Sequence, residues 1–197
     1  MADWEVGQAI AELNSQRFFA ESKDWQLRTF SLTKDPVVTM GGIRILPDLS
    51  ADEVKTGDAV MLILPGADTW MDPTQAAIVD LAKRFLSAGI PVAAICGATI
   101  ALAEAGMLDN VKHTSNGLPY LKMVCPNYRG DHHYQNELAV TDKHLITAGS
   151  TSHVEFAYHI LKELDVFESG NLEYWYGYFG KHSIEDLLRL FEARQSK

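Results

Sequence analysis

Cysteine is scarce in this chain: two residues, Cys96 and Cys125, among 197. They do not form a CxxC pair, and no Cys/His cluster has zinc spacing. A disulfide framework and a structural metal are excluded as the basis of the fold, and no metal or cofactor is expected. Long apolar runs are absent as well. The longest, residues 59–64 and 90–95, have strand length, far short of the roughly 20 residues needed to cross a bilayer. The first residues, Met1-Ala2-Asp3-Trp4-Glu5-Val6, offer neither the basic nor the apolar region of a signal peptide. Positive charge is thin: 17 Lys and Arg stand against 26 Asp and Glu, a formal net charge of −9, with no basic block. That balance argues against nucleic acid and anionic membranes as partners. Together these absences predict a cytoplasmic protein whose thiols stay reduced.

What is present suits one globular domain. The chain is 47% hydrophobic and 22% charged, enough for a sizeable core. It holds no internal repeat and no low-complexity segment. Residues 9–19 read as the end of an amphipathic helix and 27–32 as a strand. Residues 37–46, interrupted by Gly41-Gly42, read as a small hairpin or edge strand. The unbroken apolar run 59–64 ends in Pro65-Gly66, as parallel strands buried on both faces do. Asp72 and Pro73 then start a helix. Ile78, Leu81, Ala82, Phe85 and Leu86 recur at helical spacing before Gly89 stops it. A second buried strand, 91–95, leads into a small-residue helix, 97–105, closed by Gly106. A late strand at 145–147, a helix over 153–164, an aromatic stretch at 174–179 and a last helix over 183–194 complete the pattern. Buried strands alternating with helices predict an α/β fold: an open, mostly parallel sheet with helices on both faces. Such sheets bind ligands at the carboxyl ends of their strands.

Two strand ends stand out, Leu64-Pro65-Gly66-Ala67 and Ile95-Cys96-Gly97-Ala98. Cys96 follows four apolar strand residues and precedes Gly97, Ala98 and Thr99, which are small enough for a sharp turn from strand into helix. A side chain on such a turn points out at the top of the sheet, as in a nucleophile elbow. The helix that follows would favour a thiolate and lower the thiol pKa. Its N–H groups, with that of Gly66, could hold an oxyanion. Cys125, in Lys122-Met123-Val124-Cys125-Pro126, has no such context and reads as structural. Asp131-His132-His133 reads as a polar loop, not a metal site. The Ser150-Thr151-Ser152-His153 turn reads as a helix cap facing the same crevice, and Trp70 as a wall at its mouth. The aromatic stretch reads as a dimer contact or a cover over the crevice.

Three segments together resemble the PfpI family, also called after the protein DJ-one, within the class I glutamine-amidotransferase-like superfamily. They are Ala93-Ala94-Ile95-Cys96-Gly97-Ala98, Leu102-Ala103-Glu104-Ala105-Gly106-Met107-Leu108 and His113-Thr114-Ser115-Asn116. Leu64-Pro65-Gly66 matches the family's Pro-Gly-Gly turn, with Ala67 in place of the second glycine. Asp3-Trp4-Glu5 resembles the segment carrying the family's acidic residue, and the stretch from Ala148-Gly149 to Glu155-Phe156 its late turn and helix. The resemblance covers about residues 3–165. It leaves 166–197 as an aromatic and helical C-terminal extension of a single domain, 1–197.

The resemblance implies a flavodoxin-like three-layer sandwich, a homodimer, and Glu5 sharing a hydrogen bond with the Cys96 sulfur. It implies a cysteine-dependent protease, amidase or amidotransferase-like hydrolase acting on a small molecule or peptide. The alternative is a non-hydrolytic redox or carbonyl-stress sensor using the same cysteine. The expected catalytic set is Cys96, Glu5 and His113, with Gly66, Ala67, Gly97 and Asn116 around the oxyanion and substrate. Two departures matter. Gly97 stands where hydrolytic members carry a histidine, so His113 is the nearest substitute base, while Asn116 falls closer to the position of another family histidine. The family's first, normally central strand is also missing, which predicts a gap or a substitution beside the Cys96 strand.

Overall fold

A computed structural model describes residues 1–195 of the chain. In order, the elements are α1 (Asp3–Ser15), β1 (Phe30–Ser31), β2 (Val37–Val38), β3 (Arg44–Ile45), β4 (Leu49–Ser50), β5 (Leu62–Leu64), α2 (Ala76–Ser87), β6 (Val92–Ile95), α3 (Gly97–Glu104), α4 (Leu118–Val124), β7 (Ala139–Asp142), β8 (Leu145–Ala148), α5 (His153–Glu163), α6 (Asn171–Lys181) and α7 (Ile184–Gln195). The central sheet has the order β5-β6-β8-β7. Its first two pairings are parallel, and β7 closes it antiparallel to β8.

The strand period of two divides the sheet into two apolar faces. Leu62, Leu64, Val92, Ala94 and Leu145 point to one side, where they pack with Leu81 and Phe85 of α2 and Leu102 of α3. Ala93, Ile95, Ile146 and Ala148 point to the other, against Val6 and Ala9 of α1, Phe156 and Ile160 of α5, and Trp175 of α6. Every residue of β6 is buried. This is the three-layer arrangement the alternating pattern predicts, with the Cys96 strand in its interior.

Several local expectations shift. The first helix begins at Asp3 and ends at Ser15, because Gln16 turns into the left-handed region with φ 51° while its N–H bonds Glu12 O. Phe18 and Phe19 are therefore buried loop residues, not helix. Only Phe30–Ser31 of the expected strand pairs, and its partner is Leu49–Ser50. The hairpin forms as read, with Val37 opposite Ile45. β7 and α4 were not legible beforehand. The β7–β8 turn uses Lys143 and His144, both with positive φ (50° and 63°), where a hairpin signal normally shows Asn-Gly.

The gap lies elsewhere than expected. β6 is paired on both sides, by β5 and by β8, so no strand is absent beside Cys96. Among the described residues the open edges of the central sheet are those of β5 and β7, since β1 and β4 form a separate pair, and the β5 edge is the one next to the site. At the carboxyl end of that edge the chain's first residues stand in. Ala2 N–H donates to Gly66 O at 2.8 Å, and Met40 N–H donates to Met1 O at 3.0 Å. The aromatic stretch is α6, and its Trp175 is fully buried in the second apolar layer. Trp175 is core, and the other aromatic residues of α6 are half-buried, so the helix packs on α5 and α7 and not over the crevice. No helix among the described residues is long and apolar enough to cross a membrane.

Candidate active site

Cys96 sits between β6 and α3 with φ 57° and ψ −121°, a conformation a side chain adopts only when its surroundings enforce it. Here the enforcement is visible. The Cys96 N–H donates to Ala148 O (3.0 Å), which holds the turn to β8. The Cys96 carbonyl accepts from Thr99 N–H (3.0 Å) and from Thr99 Oγ1 (2.6 Å). Thr99 Oγ1 also meets Ser115 Oγ at 2.7 Å. The elbow is thus fixed from the strand, the helix and the loop before α4.

Two glycines let the walls approach. A Cβ on Gly66 would lie 2.8 Å from Cys96 Cβ and closer still to Glu5 Oε2. A Cβ on Gly97 would lie 2.7 Å from Ala67 O and 3.1 Å from Trp70 Cδ1. Trp70 is held over this spot by its Nε1–H bond to Pro65 O (2.8 Å). The space that a histidine after the cysteine would need is therefore filled by the Ala67 backbone and the Trp70 indole.

The first turn of α1 supplies the rest. Glu5 is 1% exposed. Its Oε2 accepts from Gly66 N–H at 2.7 Å, while Oε1 is buried without a hydrogen bond of ordinary geometry. Burial raises the Glu5 pKa, opposed by the Cys96 thiol and the Gly66 N–H. Trp4 Nε1 donates to Ser150 O (3.2 Å) and Gly41 N–H donates to Asp3 Oδ2 (2.6 Å). Three successive residues thus tie α1 to three segments around the cysteine. Because Gly66 N–H is committed to Glu5, it is not free for an oxyanion.

The thiol itself departs from expectation. Burial pushes the Cys96 pKa up. Asn116 and the Gly97 N–H work against that rise, while Glu5 adds to it. Burial outweighs the Gly97 N–H at the helix N-terminus and opposes the thiolate that the elbow alone suggests.

His113 is not brought to the sulfur. It is fully buried, with Nδ1 2.8 Å from Val111 O and Nε2 2.6 Å from the Tyr128 hydroxyl. Both nitrogens are occupied, and burial lowers its pKa. It is a core histidine. The residue that does reach the sulfur is Asn116, whose Nδ2 lies 3.4 Å from Sγ. Ser152 makes no side-chain cap at α5, and His153 Nδ1 is buried without a partner. Cys125 is buried, with its Sγ 3.4 Å from Ile100 O, as a structural thiol should be. A separate cavity of about 370 Å³, lined by Lys122, Cys125, Arg129 and His132 among others, shares no residue with the Cys96 site. Among the described residues no cluster of His, Cys, Asp or Glu could hold a metal ion.

The match to known proteins decides the family. The model of the DJ-1/PfpI family matches residues 1–163. This chain belongs to the DJ-1/PfpI family. A protein of Bacillus subtilis (strain 168) named uncharacterized protease YoaZ is 44% identical over 177 residues, 89% of this chain and 84% of the relative. A thiJ/pfpI family protein from Bacillus anthracis superposes with a TM-score of 0.91 at 45% identity, covering 98% of this chain and 91% of that one. The DJ-1 superfamily protein Atu0886 from Agrobacterium tumefaciens gives 0.76 at 33% identity, covering 92% and 94%. The DJ-1/PfpI match ends with the last residue of α5, yet α6 supplies Trp175 to the same apolar layer as α1 and α5.

Proposed function

We propose that the chain is a cysteine-dependent hydrolase of the PfpI kind, with Cys96 as nucleophile and Glu5 as its proton partner. The observation that carries the reading is the enforced elbow of Cys96 beside a carboxyl group that is 1% exposed and leaves one oxygen unpartnered. Burying such a carboxyl without a full set of partners is costly, and sites that keep one use it. In this reading the thiol proton passes to Glu5 as Sγ attacks a carbonyl carbon. Gly97 and Ala67 N–H groups receive the developing oxyanion, and Glu5 returns the proton to the leaving group. Water then cleaves the thioester. The protease names of the Bacillus subtilis relatives are in keeping with this class of reaction.

One observation favours a second reading. Among the described residues no imidazole is placed at the sulfur, since His113 is spent in the core and residue 97 has no room for a side chain. A site with one proton carrier is poorly equipped for amide cleavage but suffices for reversible oxidation of the thiol to a sulfenic acid by a peroxide, with water released. Both thiols are free, as a reducing cytoplasm would keep them.

The deciding experiment compares wild type, Cys96→Ser and Glu5→Gln on fluorogenic amide and ester substrates, with peroxide treatment and mass spectrometry in parallel. Turnover lost in both variants supports the hydrolase. Cys96-selective oxidation without turnover supports the sensor. Wild-type turnover in the Cys96→Ser protein, together with no oxidation of Cys96 in the wild type, refutes both.

A further inference from the structure

Asn116 is the group at the sulfur whose orientation the fold dictates. Its two amide ends are not interchangeable here. Ser150 N–H donates to Oδ1 at 2.8 Å, and a backbone N–H can only donate, so Oδ1 must face Ser150. The NH2 end is thereby turned toward Cys96 Sγ, 3.4 Å away. Ser150 is itself held, because Trp4 Nε1 donates to its carbonyl at 3.2 Å. The result is a relay of fixed hydrogen bonds from α1 through the loop after β8 to the sulfur. Asn116 can donate to sulfur but cannot take its proton. Among the described residues, Glu5 is the one titratable side chain acting on the Cys96 thiol, joined by the neutral donors Asn116 and Gly97 N–H.

Resting on the reading of Cys96 and Glu5 as a working pair, we propose that Asn116 sets where their shared proton resides. The exchange is Cys96–SH plus Glu5–COO⁻ going to Cys96–S⁻ plus Glu5–COOH. One S–H bond breaks, one O–H bond forms, and the net charge of the pair is unchanged. Glu5 is fully buried and Cys96 half-buried, so burial disfavours both anions and the carboxylate more. On the left-hand side Gly66 N–H stabilises the Glu5 carboxylate, and on the right-hand side a donor aimed at sulfur stabilises the thiolate against it. Asn116 thus does by donation what an imidazole would do by accepting the proton, and it acts from the exposed mouth of the site. This makes it a specific device of the chain, with Gly97 and Trp70 closing off the alternative position for a base.

The test is the thiolate absorbance near 240 nm as a function of pH, taken as the difference between each protein and its Cys96→Ser counterpart. Iodoacetamide labelling is read in parallel at the Cys96 peptide. Asn116→Ala removes donor and anchor together. Asn116→Asp keeps an oxygen for Ser150 N–H but replaces the donor with a negative charge. Labelling at pH 7.5 is expected to fall about 3- to 10-fold in the alanine variant, the size of an ordinary net hydrogen bond. The aspartate variant should fall further, because a like charge opposes the thiolate, although its loop remains anchored. If Asn116 merely holds the loop, the aspartate variant will titrate like wild type, and that result overturns the proposal. Loss of the titration shift with normal labelling also overturns it. A clear titration shift combined with no turnover and no oxidation leaves Asn116 in its role and refutes the functional reading of the pair instead.

Discussion

Gly66→Ala puts the close approach at the site to its severest test. The added methyl would stand 2.8 Å from Cys96 Cβ and nearer still to Glu5 Oε2. Neither neighbour can yield freely. Cys96 is fixed by its bonds to Ala148 and Thr99, and Glu5 is buried in the first turn of α1. The backbone of Gly66 is not in the left-handed region, so the cost is steric and electrostatic and not conformational. Overpacking of a close-packed site costs about 1–3 kcal/mol. Displacing the carboxyl from Gly66 N–H forfeits part of a charged hydrogen bond, about 1.5–3 kcal/mol if lost outright. Partial relaxation should leave a net loss of about 2–4 kcal/mol, read as a lower urea midpoint at unchanged slope.

Gly7→Ala is the matched control. It lies in α1, two residues from Glu5, and a Cβ there meets nothing within 4 Å. It should stabilise the protein by about 0.5–1 kcal/mol through helix propensity alone. The decisive comparison is Gly66→Ala in a Glu5→Ala background, where the carboxyl no longer stands in the way. The penalty should shrink there by at least about 1 kcal/mol, a coupling expected of residues in contact. A Gly66→Ala protein with wild-type stability would refute the close-packed geometry. An equal penalty in both backgrounds would show that Glu5 is not what the methyl strikes.

Arg17→Ala strips the guanidinium from Glu12, a carboxylate that is 1% exposed and bound by Arg17 in two contacts. It should cost about 1–3 kcal/mol in chemical denaturation, and Arg17→Ala with Glu12→Gln should recover part of that loss. Trp175→Ala should cost about 3–5 kcal/mol, since the indole is fully buried in the apolar layer that also holds α1 and α5; a loss under 1 kcal/mol would show that α6 is an appendage. Acidification offers a third check. Burial holds the His113 pKa below its ordinary value, so the unfolded chain takes up that proton first. The stability His113 provides is whole above about pH 6.5 and is lost as pH falls below it. Urea midpoints at pH 7.5 and 5.5 should separate less in a His113→Gln variant than in wild type.

Much of the layout was written in the chain. Apolar strands of period two, with helix starts at Asp72-Pro73 and stops at Gly89 and Gly106, suffice to predict the layered sheet, because burial of both faces leaves few other arrangements. The Cys96 elbow was equally legible, since small residues after a buried strand permit one kind of turn. Glu5 reached the site only through the family resemblance. In the chain alone it is an ordinary first-turn acid.

What the tertiary structure decided were matters of competition and of reach. The helix N-terminus and burial push the thiol in opposite directions, and only packing shows that burial wins. His113 and Asn116 are three residues apart and both polar. Tyr128 and Val111 claim one for the core, while the Ser150 N–H turns the other toward the sulfur. Composition also cannot reveal that Trp70 and Ala67 fill the space beside Gly97, or that the Cys96 strand is paired on both sides while β5 keeps an open edge. Residue types set the chemistry available to this chain. Long-range hydrogen bonds and close backbone approach select which of it can meet at one atom.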